Sequence, residues 1–245
     1  EIYTLSLHDA LPISTSNELQ NILTLNSLRI DVSPEVTSVD VGNYAVFATR
    51  FKRLGKISLL GKALDDRIGV ATLIELFKNA PESIELIAAF TVQEEVGLRG
   101  AKAAAHAMNP DAAFVIDCTP ANDQPARNGS ENVEYKTKLD EGPAIYVMDG
   151  RTLYDRRLVR YLSDLGDSYS IRYQYRQPQP GGTDAGPVHL SREGIPTISL
   201  SVPGRYAHTA AMIVRIADWE AYLQLLIVAQ RLRSEERRVG KECRS

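Results

Sequence analysis

The 245-residue sequence is short of several things. It has two cysteines, too few for a disulfide framework, which points to a reducing, cytoplasmic setting. It has a single tryptophan, Trp219, so no aromatic platform for stacking sugars can be built from tryptophan. No apolar run approaches the roughly 20 residues of a membrane span. Neither sign of charge dominates: 28 Lys and Arg against 31 Asp and Glu give a net charge of −3, which offers nothing to a nucleic-acid backbone. What remains is ordinary globular composition, 44% hydrophobic and 24% charged, enough for one domain or one and a half.

The two ends look foreign. Glu1–Ile13 and Arg233–Ser245 back-translate, with suitable codons, into near reverse complements that resemble a short-read sequencing adapter. They are set aside as adapter-derived. His8-Asp9, which could pass for a metal-ligand pair, the basic pair Arg237-Arg238 and Cys243 go with them. Without a start methionine, the remaining residues 14–232 are expected to be a piece of a longer gene product.

From Ser14 to about Lys56 the chain is rich in β-branched residues ("LRIDV", "VTSVDVGNYAVFATRF") and predicts a small β-rich module. Residues 57–232 alternate between helix and strand periodicity. Helices are predicted at Asp66–Asn79, with Ile68, Ala71, Leu73, Ile74 and Leu76 on the apolar face, and at Leu98–Ala107, Leu153–Leu165, Gly186–Ser191 and Ala217–Leu232. Strands are predicted at Ile84–Val92, Ala112–Ile116, Ala144–Met148, Ser170–Tyr175 and Ile195–Val202. That alternation implies an α/β fold, a largely parallel sheet sandwiched by helices.

In such sheets ligands bind beyond the carboxyl ends of the strands, and polar groups gather at those places. Asp65-Asp66 opens a helix in "GKALDDRIG". Glu94-Glu95 ends an apolar run in "AAFTVQEEVGLRG". Asp117 closes "AFVID", His208 follows "SLSVPGRYA", and Gly181–Ala185 form the loop "GGTDA". Each has an ordinary reading too: Asp65 as a helix cap, Asp117 as a turn former, the glutamates as a solvated corner, the glycines as a chain reversal. His106 and His189 read as surface or packing residues, and Asp66 with Arg67 as a structural ion pair. Together, the carboxylates and the imidazole are donors of the kind that bind Zn²⁺ or Co²⁺. Neighbouring residues on a strand face opposite ways, so Glu94 and Glu95 can do different jobs a few ångströms apart.

The motifs "GKALDDRIG", "QEEVGLRGA", "VIDCT", "GGTDAGPVHLSREGIPT" and "RYAHT", in that order, resemble the M42 family of metallo-aminopeptidases, related to the M28 and M20 di-metal hydrolases. The resemblance covers about Leu28 to Leu232. It implies two divalent metal ions, Zn or Co, with Asp65 bridging them, Glu95 and His208 on one and Asp117 on the other. It implies Glu94 as general base and Gly182, Thr183 and Asp184 along the substrate. It implies peptide substrates cut at the N-terminus, a homo-oligomer of dimers assembling to a dodecamer, and a β-rich start that is the remnant of a dimerisation module. The family's upstream His-x-Asp segment has no counterpart here, which leaves the Asp117 side without an imidazole. Two other readings stand beside it: a truncated, inactive piece keeping at most one metal site, and a glycan hydrolase working through paired carboxylates.

Overall fold

The computed structural model describes residues 2–5, 40–125, 128–130, 132–178 and 180–242. Of the expected β-rich module, "LRIDV" and most of "VTSVDV" lie outside the described residues, as do His8-Asp9 and Cys243. The chain divides into two compact units, Glu1–Phe51 and Lys52–Ser245. In the first, β1 (Ile2–Leu5) pairs in parallel with β2 (Tyr44–Phe47).

The second unit holds a seven-stranded sheet. Its strands are β3 (Lys52–Leu54), β4 (Ser58–Gly61), β5 (Ala113–Pro120), β6 (Ala144–Ile145), β7 (Gln174–Tyr175), β8 (Thr197–Arg205) and β9 (Met212–Arg215). The order is β3-β4-β9-β8-β6-β7, with β5 on the opposite edge of β8. The helices are α1 (Leu64–Lys78), α2 (Arg99–Met108), α3 (Arg156–Ser168), α4 (Ala185–His189) and α5 (Ile216–Glu242). α5 runs through Leu232 without a break. Among the described residues, no helix is long and apolar enough to cross a membrane.

The α/β class with helices on both faces is as predicted, but the sheet is mixed rather than largely parallel. Parallel pairing is confined to β5–β8 and β6–β7; β3–β4, β4–β9, β8–β9 and β6–β8 are antiparallel. The cause is local. The chain leaves β8 and returns as β9 through residues 206–211 alone, and a return without a crossover helix gives an antiparallel neighbour.

β8 shows how the sequence sets the layers. In "TISLSVP" the apolar Ile198, Leu200 and Val202 alternate with Thr197, Ser199 and Ser201, and all six are buried. The apolar set joins the main core with Leu64, Ile68 and Leu76 of α1, Leu158 and Leu162 of α3, and Tyr222, Leu225, Leu226 and Ala229 of α5. The spacing of that last group is one helical stripe. Across the ladder Cys118 pairs with Val202 and joins the same core, while Asp117 pairs with Ser201 and faces the other way. One face of the sheet is thus greasy, and the other is a buried polar floor.

Two further expectations need correction. Ile84–Val92 forms no strand. Its residues alternate between half-buried and exposed positions, with Ile87, Phe90 and Val92 exposed. Apolarity favours burial of one side but does not by itself supply a ladder partner, and β5 pairs only with β8 among the described residues. On α1 the buried stripe is Leu64, Ile68, Thr72 and Leu76, while Ile74 is exposed. Thr72 can be buried because its hydroxyl donates to the Ile68 carbonyl (2.8 Å) and accepts from Trp219 Nε1 (3.0 Å).

Candidate metal centre and substrate site

The start of α1 is built around two aspartates of different fate. The peptide bond between Asp65 and Asp66 is cis, and both residues have non-helical φ/ψ. Asp66 turns back to the helix: its Oδ1 accepts the Gly69 N–H at 2.9 Å. A Cβ on Gly69 would collide with the Asp66 carboxylate, so only glycine fits this cap. The predicted Asp66–Arg67 ion pair does not form among the described residues. The Asp66 carboxylate finds the Gly69 N–H, three residues on and already fixed in place by the helix, whereas a pair with exposed Arg67 would order a long side chain for little gain. Asp65 is left to point away.

Asp65 Oδ2 lies 3.2 Å from His208 Nε2, and Glu95 Oε1 lies 3.6 Å from the same nitrogen. His208 sits in the β8–β9 loop, where both it and Tyr206 have positive φ (60° and 62°). Glu94 and Glu95 occupy a tight turn rather than a strand end. The Glu94 carbonyl accepts from Gly97 N (3.1 Å) and Leu98 N (2.9 Å), and the chain passes directly into α2. Gly100 closes the turn against Val92, donating to its carbonyl at 3.0 Å; a Cβ there would lie 2.5 Å from that oxygen. The turn still separates the two glutamates: Glu94 is half-buried and Glu95 exposed. Asp117 lies within β5 rather than at its end, because β5 continues to Pro120 along β8. Its carboxylate lies close enough to that of Asp65 for each to act on the other's charge.

The structure therefore brings Asp65, Glu95, His208 and Asp117 together, with Glu94 beside them. His106 and His189 stand apart. His106 is exposed on α2, and His189 Nδ1 is engaged by the Ala185 carbonyl at 2.8 Å.

The electrostatics are those of a carboxylate cluster short of positive charge. Burial raises the Asp65 carboxyl, and the Glu95 charge raises it further, against the pull of His208. Burial pushes Asp66 up to about 8. Glu94 is pushed up to about 7, by burial first and then by the charges of Asp184, Glu95 and Asp65. Asp117 is held well above the usual range by burial and by Asp65, Asp66 and Glu94. A divalent cation would relieve all four at once. The donors fit one: ligand atoms of Asp65, Glu95 and His208 all lie within 4.8 Å of one another. The side chains of His208 (63% exposed) and Glu95 (62%) keep this group open to solvent.

The Gly-Gly loop is more enclosed than its sequence suggests. Gly182 is half-buried, and Thr183 and Asp184 are buried. Thr183 Oγ1 accepts from Ala185 N (3.2 Å) and meets the Tyr154 hydroxyl at 3.2 Å; that hydroxyl donates to Asp149 Oδ2 at 2.6 Å. Asp184 Oδ2 accepts from Thr91 Oγ1 at 2.5 Å, and its Oδ1 is buried with no partner among the described residues. Burial raises the Asp184 carboxyl.

Sequence reasoning missed two things here. Asp65, Asp66 and Cys118 form a second group of donors within 4.8 Å. The only hint was that Cys118 follows Asp117, which says nothing of Asp66 on another element. Thr91 was read as part of an apolar strand, and only the fold sets it against Asp184.

Residues 6–225 match the family described as M42 glutamyl aminopeptidase, a match that takes in residues 6–13 of the stretch set aside above. Among curated proteins the chain is 34% identical over 220 residues to FrvX of Escherichia coli, covering 86% of this chain and 61% of that protein. It is 32% identical to the glutamyl aminopeptidase of Lactococcus lactis (70% of this chain, 48% of that protein) and 32% identical to the lysyl aminopeptidase of Pyrococcus furiosus (76% and 52%). The chain thus spans about half to three-fifths of the length of these relatives. Among solved structures it resembles an aminopeptidase from the archaeon Desulfurococcus kamchatkensis, with a TM-score of 0.79 and 32% identity over 87% of this chain and 62% of that one. It also resembles the TET1 peptidase of Pyrococcus horikoshii, described as assembling into a tetrahedron or a large octahedral shell, with a TM-score of 0.61 and 34% identity over 75% of this chain and 53% of that one.

Proposed function

This chain belongs to the M42 peptidase family, and from that premise we propose that it carries the catalytic centre of a metal-dependent aminopeptidase. The observation that supports the reading best is the convergence of Asp65 from the start of α1, Glu95 from the turn before α2 and His208 from the β8–β9 loop, with Asp117 and Glu94 alongside. Two divalent ions, zinc or cobalt, suit the donors. Asp65 would serve both, Glu95 and His208 would hold one, and Asp117 would hold the other. When bound, the ions supply Lewis acidity, lowering the pKa of water towards neutrality and offsetting charge that builds on the peptide oxygen.

The chain's own residues supply the proton traffic. Burial and acidic neighbours raise Glu94 in the metal-free chain; with the charge of those neighbours offset by bound metal it would be ionised near neutral pH, able to take a proton from the attacking water and return it to the departing amine. Its half-buried position beside, rather than among, the donors leaves it free for that task. The negative charge of the cluster suits the free α-ammonium of a peptide, which favours removal of N-terminal residues over internal cleavage. Gly182 borders the substrate, with Thr183 and Asp184 fixing the loop behind it. The names of the relatives, glutamyl and lysyl, leave the preferred side chain open in sign. Assembly of identical subunits, dimers building a dodecamer, is the corresponding proposal for quaternary structure, supported by the shells described for the Pyrococcus horikoshii protein.

The test is hydrolysis of amino-acid p-nitroanilides by the zinc- or cobalt-loaded chain. Activity should vanish with EDTA and return with metal. Glu94→Gln should keep the metal while losing turnover by about 10²- to 10⁴-fold. Hydrolysis indifferent to EDTA overturns the metal-dependent reading, and full turnover in Glu94→Gln removes Glu94 from the base role. A second reading is favoured by the Asp117 side, to which neither His106 nor His189 contributes. In it the chain binds one ion and is inactive, and a metal stoichiometry of one without turnover identifies that case.

A further inference from the structure

The turn that carries Glu94 is a span fixed at both ends on one short segment, residues 184–186. At the far end Leu98, buried, lies against Gly186: a Cβ on that glycine would sit 3.5 Å from Leu98 Cδ1. Behind this contact Ala101 and Ala105 of α2 share a small core with Val188 of α4. At the near end half-buried Thr91 donates its hydroxyl to Asp184 Oδ2 at 2.5 Å. Between the two supports the chain is closed on itself, with Gly100 N on the Val92 carbonyl and Gly97 N and Leu98 N on that of Glu94. Glu94 projects from the middle, three residues past Thr91.

Local structure asks for the Thr91–Asp184 contact from neither residue. Asp184 stands just before α4, where an aspartate ordinarily caps its own helix. Its side chain makes no such cap and instead meets a residue 93 positions away. Thr91 follows the apolar "AAF", where valine would fill the same space without a hydroxyl. A buried carboxylate needs donors, and while Oδ2 has the Thr91 hydroxyl, Oδ1 has none among the described residues. The consequence falls on Glu94. Of the charges that act on its carboxyl, that of Asp184 is the largest, ahead of Glu95 and Asp65. Like charges at close quarters settle apart, so the place where Asp184 is held governs where Glu94 comes to rest. Thr91 acts on both, anchoring Asp184 and fixing the backbone from which Glu94 projects. A general base works only within hydrogen-bond reach of the proton it takes, and a displacement of about 1 Å can cost about 100-fold.

We propose that Thr91 and Asp184 are positioning residues for Glu94: their hydrogen bond holds the turn against the Gly-Gly loop and keeps the Glu94 carboxylate aimed beside the metal ligands. This deepens, and rests on, the aminopeptidase reading. The probe is leucine hydroxamate, whose two oxygens chelate zinc while the proton it sheds passes to the neighbouring base. It is titrated by calorimetry into the zinc-loaded full chain. Thr91→Val should weaken its binding at least about tenfold, the scale of one charge-assisted hydrogen bond, and Thr91→Ser, which keeps the hydroxyl, should recover most of the loss. Zinc affinity, read by competition with a chromogenic chelator, should be unchanged in both. Combined with Glu94→Gln, Thr91→Val should cost less than about threefold, because no base is left to misplace. Folding is checked by circular dichroism. If Thr91→Val strands the Asp184 charge and unfolds, the pair Thr91→Val/Asp184→Asn, which removes that charge, takes its place with the same expectations. Undiminished hydroxamate binding in Thr91→Val overturns the inference, as does a loss that persists in full beside Glu94→Gln or one matched by loss of zinc. If Glu94→Gln alone leaves the hydroxamate unaffected, the base assignment falls and takes the inference with it. If the hydroxamate does not bind the unaltered chain, the metal-dependent aminopeptidase reading falls first.

Discussion

Removing divalent metal should make this chain less stable as pH rises from 5 to 8. The reason lies in carboxyls that are harder to ionise in the folded state than in the unfolded chain. Glu94 moves from 4.5 to about 7 and Asp66 from 3.8 to about 8, each chiefly through burial. Asp65, Asp117 and Asp184 shift the same way. Between the two values the folded state holds a proton that the unfolded state has lost, so stability is fully present below the lower value and drains away as pH climbs through the upper one. One pH unit of such a window is worth about 1.4 kcal/mol per group. Between pH 5 and 8 Glu94 passes through about two units of its window and Asp66 through nearly three; discounted by about half for solvent screening and mutual coupling, they account for on the order of 3 kcal/mol. Total stabilities are about 5–15 kcal/mol, so this is a large share. For a domain of this size about 1 kcal/mol moves Tm by about 2–4 °C, and the chelated chain should lose roughly 6–12 °C between pH 5 and 8. Zinc at about 100 times its Kd should restore about 2.7 kcal/mol. The rescue should be largest at pH 8, because the ligand carboxyls of Asp65 and Asp117, raised as well, must give up their protons to bind metal. Scanning calorimetry or fluorescence melts in EDTA and in zinc, across that pH range, would measure this. A chelated Tm that is flat or climbs towards pH 8 refutes the reasoning.

Two further outcomes follow from the same geometry. His208→Ala and Glu95→Ala remove exposed donors on which little packing depends, so each should fold normally yet bind zinc at least about tenfold more weakly, read by competition with a chromogenic chelator; unchanged affinity removes that residue from the ligand set. Gly69→Ala sets two effects against each other. Helix propensity favours alanine by about 1 kcal/mol, but its Cβ would displace the Asp66 carboxylate from the cap it makes on residue 69. Because Asp66 is enclosed and has little room to swing aside, the variant should lose about 1 kcal/mol or more in urea unfolding, and a gain in stability would show that the cap is dispensable.

The site was legible in the sequence wherever chemistry and local chain geometry travel together, and illegible where they part. The alternation in "TISLSVP" announces a strand with one greasy and one polar side, and β8 is that strand. The doubled acids announce a division of labour, and Asp65 and Asp66 do divide, one pointing to His208 and one capping its own helix. Which of the two does which cannot be read from adjacency; it depends on the absence of a side chain at Gly69. Ile84–Val92 misled for a related reason. Its apolarity reports only a wish to be buried, and a strand also needs a free backbone edge of matching register. Short returns such as residues 206–211 are equally silent, yet that return sets β9 antiparallel beside β8 and carries His208. Arg176 marks the far limit. Nothing in "YQYRQPQ" distinguishes it from a surface arginine. It becomes unusual only when β8 holds β5 on one edge and β6 with β7 on the other, so that Thr119, Tyr146 and Arg176 meet and none of the ion pairs among the described residues includes the arginine. The residue types that can hold a cation are visible in the chain itself, whereas the partners that enclose a loop are set only by the fold. That is why the converging carboxylates and imidazole could be named in advance, and the contacts of Thr183 with Tyr154 and of Asp184 with Thr91 could not.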